Sequence, residues 1–510
     1  MYSGDGALTI DYSLTCGPEK FIMANTVYDF GMIGLGVMGS NFLLNLADNG
    51  FKVIGFDLDA AKGKKLEEEA TKGTTVKGVS TLEEMVSQLD KPRRIMMLVP
   101  AGKPVDSVIA SLLPFVEKDD VIIDGGNSHY TDTLRRVKDL EGKGIHFMGM
   151  GVSGGEEGAR RGPSIMPGGD MAAWKRVQPM LEAVSAKVDK EPCVAYMGKD
   201  AAGHYVKMVH NGIEYAIMQL ISEAYDMMKR GLGLNNNELA AAFKKWNKEE
   251  LESFLIEITA EIFLKDDEHA GERLVDVISD KAGSKGTGKW TSQDAMELPV
   301  SIPTIDAAVA MRTISGYKDE RVAAAELYHT KTKDLKGKTD ADIKKIKDAL
   351  YFSMIIAYAQ GLSMLFKASA ELNMDIPLAD VVKIWRGGCI IRSTLLEVFY
   401  KAYKKDKTLS NILLDKNIAK LIKKSEKNAR VVVKLAMNSK IPVTALTSAI
   451  GYFDAYCSAT MPTNLIQAQR DFFGAHTYQR IDKEGTFHTE WNEAVIQADK
   501  KEAQTENPKS

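Results

Sequence analysis

From Asp29 to about Gly198, short apolar runs alternate with amphipathic stretches, and Asp29 to Ile33, Lys52 to Phe56, Arg94 to Val99, Val121 to Asp124 and Ile145 to Met148 read as strands. Strands separated by helix-length segments predict a parallel, doubly wound α/β sheet, because a parallel connection needs a crossover. Beyond about Gly203 the strand signal fades. Helical spacing replaces it in Tyr205 to Lys229, Asn236 to Trp246, Ile343 to Ala370 and Asn428 to Met437, which predicts a large all-α domain. A weak internal repeat links the segment ending Phe243 to Trp246 with the one ending Val382 to Trp385, offset by about 140 residues. After Pro462 the chain carries Gly474, Gly485 and a polar end, and reads as an extended tail rather than another core. The expected divisions are an extension over 1–28, an α/β domain over 29–202, a helical domain over 203–462 and a tail over 463–510.

Composition narrows the function classes. A chain of 510 residues has length for two or three domains. Its net charge of -3 provides no basic field for nucleic acid or an anionic membrane, so an anionic ligand must be held by local cations. No run approaches the roughly 18 apolar residues expected of a membrane span. Cys16, Cys193, Cys389 and Cys457 lie far apart without CxxC spacing, and the histidines show no ligand spacing, so neither a disulfide framework nor a metal site is expected. Residues 1–28 lack the cationic start and apolar run of a secretory signal; a disordered extension of a cytoplasmic protein is expected, with a weak organelle signal as the alternative.

Gly34-Leu35-Gly36-Val37-Met38-Gly39 follows an apolar strand, opens a helix, and is trailed roughly twenty positions later by Asp57 at the end of the next strand. That context is the dinucleotide fingerprint of a Rossmann-like domain. The first glycine permits the tight turn, the second admits a pyrophosphate to the backbone, and the third lets helix and strand pack closely. In Asp57-Leu58-Asp59 the first carboxylate suits ribose hydroxyls and repels a 2′-phosphate, which favours NAD over NADP; Lys62, Lys64 and Lys65 are near enough to compensate.

Asp124-Gly125-Gly126-Asn127-Ser128 follows another strand at its carboxyl end, where ligands bind in open α/β sheets. Glycine is dense in Gly151-Val152-Ser153-Gly154-Gly155 and in Pro163 to Gly169, which suggests backbone passing close to a ligand, with Ser153 and the N–H groups after it suited to a carboxylate. Lys207, His210, Asn211 and Glu214 stand at i, i+3, i+4 and i+7, one face of a helix. The outer pair lies ~10 Å apart along the axis, room for a sugar acid between a base and an acid. Burial would have to lower the lysine pKa toward neutrality before it could accept a proton. The repeat replaces this stripe with Lys347, Leu350, Tyr351 and Met354, which argues that its polarity is local and functional. Lys285, Arg312, Arg470 and His476 are candidate phosphate-binding cations.

These segments together resemble 6-phosphogluconate dehydrogenase from about Asp29 to Trp491, through Gly-Leu-Gly-Val-Met-Gly at 34, Asp-Gly-Gly-Asn-Ser at 124, Ser-Gly-Gly-Glu-Glu-Gly-Ala-Arg at 153, Lys-Met-Val-His-Asn-Gly-Ile-Glu-Tyr at 207, Lys-Gly-Thr-Gly-Lys-Trp-Thr at 285 and Asn-Leu-Ile-Gln-Ala-Gln-Arg-Asp at 464. The resemblance implies oxidative decarboxylation of 6-phosphogluconate to ribulose 5-phosphate in the pentose phosphate pathway. It also implies a homodimer whose tails exchange. Lys207 would be the general base and Glu214 the acid, with Asn127, Ser153, Gly154, Gly155, His210 and Asn211 around the sugar acid. Tyr215, Lys285 and Arg312, with Arg470 and His476 from the other subunit, would surround the phosphate. The fingerprint residues, Asp57, Leu58, Asp59, Val99, Pro100, Ala101 and Asn127 would line the coenzyme. NADP-dependent members usually carry Asn-Arg-Thr where this chain has Asp57-Leu58-Asp59, and a lysine is common at Pro100, so the family implies NADP while these residues favour NAD. A related β-hydroxyacid dehydrogenase that releases no CO₂ is the rival expectation.

Overall fold

The computed structural model describes residues 26–268, 271–329, 331–335 and 339–491; the expectations for residues 1–25 and 492–510 lie outside it. Seven strands form one sheet in the order β3-β2-β1-β4-β5-β6-β7, comprising β1 Phe30–Ile33, β2 Val53–Phe56, β3 Val76–Val79, β4 Arg94–Met97, β5 Val121–Asp124, β6 His146–Ser153 and β7 Ser164–Gly169. All neighbours are parallel except β6 and β7. This is the doubly wound order with its switch point between β1 and β4, where a crevice opens at the carboxyl ends.

Two strands escape the sequence pattern. Val76–Val79 is short and only partly buried, so it has no continuous apolar run. Ser164–Gly169 lies in the glycine-dense stretch read as backbone passing close to a ligand, and the structure makes it a buried edge strand. Its register sets Met148 opposite Gly169 and Ser153 opposite Ser164. A Cβ at Gly168 would stand 2.2 Å from the Gly203 nitrogen, so this glycine admits protein backbone rather than a ligand.

Helix Ala202–Asp226 crosses β6 and β7 and then packs on the long helix Asp340–Glu371, whose Gly361 leaves room for Ile213. Asp340–Glu371 is apolar and long enough by composition to cross a bilayer, contrary to the expectation that no run approaches that length. Its most apolar window is 83% buried, the mark of a core helix wrapped by Lys416–Asn438 and Thr444–Tyr456. The repeat is visible as a long helix followed by a short one, Ala202–Asp226 with Asn236–Trp246 and Asp340–Glu371 with Leu378–Trp385.

The tail also departs from expectation. Residues Thr463–Gly474 form a helix, and Tyr478–Gln479 pairs antiparallel with Thr486–Phe487. Asp471 organises both: it accepts hydrogen bonds from the Thr477 and Thr489 N–H groups, from Trp491 Nε1 at 2.8 Å and from His488 Nδ1 at 2.9 Å. Burial opposes its charge, yet these donors outweigh burial and hold its carboxyl at about 2. The described part of a tail read as extended, residues 463–491, is thus a small structured unit.

Candidate active site

The fingerprint glycines have the three expected geometries. Gly34 has φ +91°, a Cβ on Gly36 would meet nothing within 4 Å, and one on Gly39 would lie 1.9 Å from the Gly34 carbonyl oxygen. The helix Val37–Asp48 starts without a side-chain cap, leaving N–H groups directed at the open space over Gly36. Val99 lies between the two loops of the crevice, its Cγ1 facing Gly34 and its carbonyl facing Gly126, while Pro100 and Ala101 are exposed at the rim. This cradle fits a dinucleotide.

Asp57 is tied into the cradle itself. Its Oδ2 accepts the Leu35 N–H at 2.8 Å and its Oδ1 accepts the Asp59 N–H at 3.0 Å, while the Lys62 ammonium reaches both oxygens at 3.1 and 3.2 Å. Burial works against its ionisation, but these partners prevail and lower its pKa. Lys64 pairs with Glu68 and Lys65 with Glu69, so each lysine near the strand end already faces a carboxylate. Leu58 is fully exposed beside them, and Asp59 caps the helix Ala60–Glu68.

In the neighbouring loop, Asp124 is spent on local structure: it accepts from Ser128 Oγ at 2.6 Å and from the Gly126 N–H at 3.0 Å. That closes the turn and leaves Asn127 exposed at the crevice.

The polar stripe on Ala202–Asp226 turns inward over the ends of β5 and β6. A Cβ on Gly151 would meet the Lys207 Cβ at 2.4 Å, so that glycine is the seat of the lysine. Lys207 is 7% exposed, and burial lowers its pKa against the opposing pull of Glu214 and Cys389. Cys389 offers no counter-charge, because burial pushes its thiol up to about 12. Glu214 moves the other way: burial raises its pKa although Lys207 and Arg312 act to lower it. The two groups feel each other's charge and therefore share one environment. Between them His210 is fully buried, with Nε2 3.3 Å from Ser153 Oγ and Nδ1 3.0 Å from Asn211 Oδ1, and burial drives its pKa well down.

At the Glu214 end, the Arg312 guanidinium lies 3.4 Å from the Tyr215 ring centroid. Gly288 abuts that ring, which brings the Lys285 loop to the same corner, and Arg312 Nη1 donates to the Gly283 carbonyl at 3.3 Å. Lys207, His210, Asn211, Glu214, Tyr215, Arg312, Ser153 and the Lys285 loop thus come together. Arg470 and His476 do not join them: both are exposed, and among the described residues neither bonds to the Lys207 helix.

One wall of the site is absent from the sequence reading. The turn after Leu378–Trp385 passes behind Ser153 and Gly154, with Trp385 edge-on to His210 at 5.5 Å and the Gly388 carbonyl accepting the Ser164 N–H at 2.8 Å. Gly388 has φ +67°, and its Cβ would collide with the Gly162 oxygen at 2.6 Å. The Gly387-Gly388 doublet after a helix was the available signal.

The C-terminal domain of 6-phosphogluconate dehydrogenase matches residues 203–491, and the NAD binding domain of the same enzyme matches residues 29–198. The chain belongs to the 6-phosphogluconate dehydrogenase family. It is 52% identical over 462 residues to the Bacillus subtilis 6-phosphogluconate dehydrogenase named NADP(+)-dependent and decarboxylating, covering 90% of this chain and 98% of that one. A spinach relative named decarboxylating 2, chloroplastic is 46% identical, covering 92% of this chain and 89% of its own. The Plasmodium falciparum 6-phosphogluconate dehydrogenase, solved in apo form and with NADP+ or 6-phosphogluconate, superposes with a TM-score of 0.88 at 43% identity, covering 91% of this chain and 100% of that one. Family membership at this identity favours decarboxylation over the rival dehydrogenase without CO₂ release. A nicotinamide dinucleotide is the cofactor of the fold.

Proposed function

We propose that Lys207 and Glu214 are the base and acid of an oxidative decarboxylation that converts 6-phosphogluconate to ribulose 5-phosphate and CO₂. The observation carrying this reading is one buried stripe in which an amine is biased toward its neutral form and a carboxyl toward its protonated form. The bound dinucleotide supplies a hydride acceptor. Neutral Lys207 takes the proton of the C3 hydroxyl as the C3 hydride departs, leaving a β-keto acid. The C1–C2 bond then breaks, releasing C1 as CO₂, and the Lys207 ammonium stabilises the C3 enolate oxygen that inherits its electrons. Glu214 protonates the adjacent carbon. Ser153, Gly154, Gly155, His210, Asn211 and Asn127 hold the sugar acid, and Tyr215, Lys285 and Arg312 hold the phosphate end.

On coenzyme choice we favour NAD. Asp57, Asp59 and Lys62 together carry a net negative charge, no arginine stands at Leu58, and the nearby lysines already face carboxylates. The test is initial rates with each coenzyme on 6-phosphogluconate, in the parent and in Asp57→Asn. The parent turns over faster with NAD, and the variant shifts toward NADP by about tenfold, the scale of one lost charge contact; a parent preferring NADP overturns this.

The tail, residues 463–510, completes the phosphate site of a second copy. Leu465, Ile466, Phe472 and Phe473 are exposed on it, an apolar surface suited to burial on a partner. Mixing Lys207→Met with Arg470→Met subunits tests this: half the dimers are mixed and each regains one site, so about a quarter of parental activity returns. No recovery means that the tail acts within its own chain.

A further inference from the structure

Three elements that carry or directly follow proposed site residues meet at one carboxylate. Asp294, 6% exposed on the helix Thr287–Glu297, accepts a hydrogen bond from the Tyr130 hydroxyl at 2.6 Å on Oδ1 and another from the Tyr205 hydroxyl on Oδ2. Tyr130 begins the helix that follows the Asn127 loop of the coenzyme domain. Tyr205 lies two residues before Lys207 on its helix, and the Asp294 helix begins two residues after Lys285. The tyrosine rings sit edge to face at 4.9 Å, and His129 packs over Tyr130 at 5.1 Å and against Trp290 at 5.0 Å.

Both phenols stay protonated, since burial first, and then the hydrogen bond to Asp294 together with its charge, push them up. Each is therefore a committed donor, and together they occupy both oxygens of the carboxylate. Among the described residues no other hydrogen bond to the Asp294 carboxylate crosses the domains, and losing either phenol leaves a buried anion oxygen without its donor. The proposed chemistry requires a nicotinamide, held by the coenzyme domain, to meet a C3 hydrogen held by the helical domain. Small misplacement there costs rate steeply.

We propose that Asp294 is a positioning residue that, through Tyr130 and Tyr205, fixes the distance between the nicotinamide pocket and Lys207. This rests on the function proposed above. The experiment uses Tyr130→Phe in the full-length protein, which keeps the ring and removes only the coenzyme-domain arm, alongside Asp294→Asn and Asp294→Ala. Turnover and the primary isotope effect with 6-phosphogluconate deuterated at C3 are measured for each. Tyr130→Phe lowers kcat about tenfold, with little change in KM for the sugar acid, and raises the isotope effect as hydride transfer becomes slower. Asp294→Asn, whose amide keeps a contact to each phenol, retains more activity than Asp294→Ala. A Tyr130→Phe enzyme with unchanged kcat and isotope effect overturns the proposal. So does a lower kcat with an unchanged isotope effect, which marks a smaller folded fraction. An inactive parent overturns the function reading, and this proposal with it; an active parent matched by its variant overturns this proposal alone.

Discussion

Lys207 and Lys347 occupy equivalent positions of the internal repeat, each is 7% exposed, and their chemistry is opposite. Lys347 Nζ lies 2.6 Å from Glu249 and 3.2 Å from Glu250, and these carboxylates overcome burial and raise its pKa. Lys207 has Glu214 too distant to form an ion pair and a neutral thiol nearby, so burial wins and its pKa falls. Equal surface exposure therefore fits either a structural cation or a candidate base. Depth of burial and local counter-charge together decide which.

The largest effect expected from breaking this pairing is on turnover. Lys207→Met lowers kcat by about a thousandfold, within the range for loss of general base catalysis, whereas Lys347→Met leaves kcat within about twofold. Steady-state assays on 6-phosphogluconate decide it. Glu214→Gln follows, with a loss of about a hundredfold. The parent's pH profile carries the same information. A base of lowered pKa becomes competent as pH rises, at values below the ordinary lysine range; an acid of raised pKa stays competent above the ordinary carboxyl range and fails as pH rises through its own value. Glu214→Gln removes the alkaline limb due to this carboxyl.

Gly151→Ala sharpens the contrast from the sheet side. The added methyl displaces the Lys207 side chain and lowers kcat about tenfold, with the fold retained by circular dichroism. The smallest effects are on stability, and they have opposite signs. Lys347→Met strands two half-buried carboxylates and lowers stability by about 1 kcal/mol in thermal unfolding. Lys207 has a folded pKa below its unfolded value, so at neutral pH the unfolded chain binds the proton better and the charge costs stability. Lys207→Met therefore raises the melting temperature, by ~2 °C. A lower melting temperature in both variants breaks the comparison.

Much of the site was legible because its spacing is local. Lys207, His210, Asn211 and Glu214 lie on one helix, and Gly34, Gly36 and Gly39 in one turn, so periodicity and glycine chemistry suffice. The glycines of β6 and β7 misled for the converse reason. Their requirement comes from Gly203 and Lys207, more than thirty residues away, and sequence alone cannot separate a backbone neighbour from a ligand. Asp294 and the Gly388 turn were silent for the same cause, since their partners come from other elements.

By itself the sequence determined the α/β and all-α halves, the fingerprint and the polar stripe, because each follows from the order of neighbours along the chain. Only the tertiary structure decided that Lys207 is buried without an ion pair among the described residues while Lys347 is paired, that Asp57 is tied to Lys62 and the glycine loop, and that the described part of the tail is organised around Asp471. Those are matters of desolvation and counter-charge, set by groups that meet only when distant segments pack.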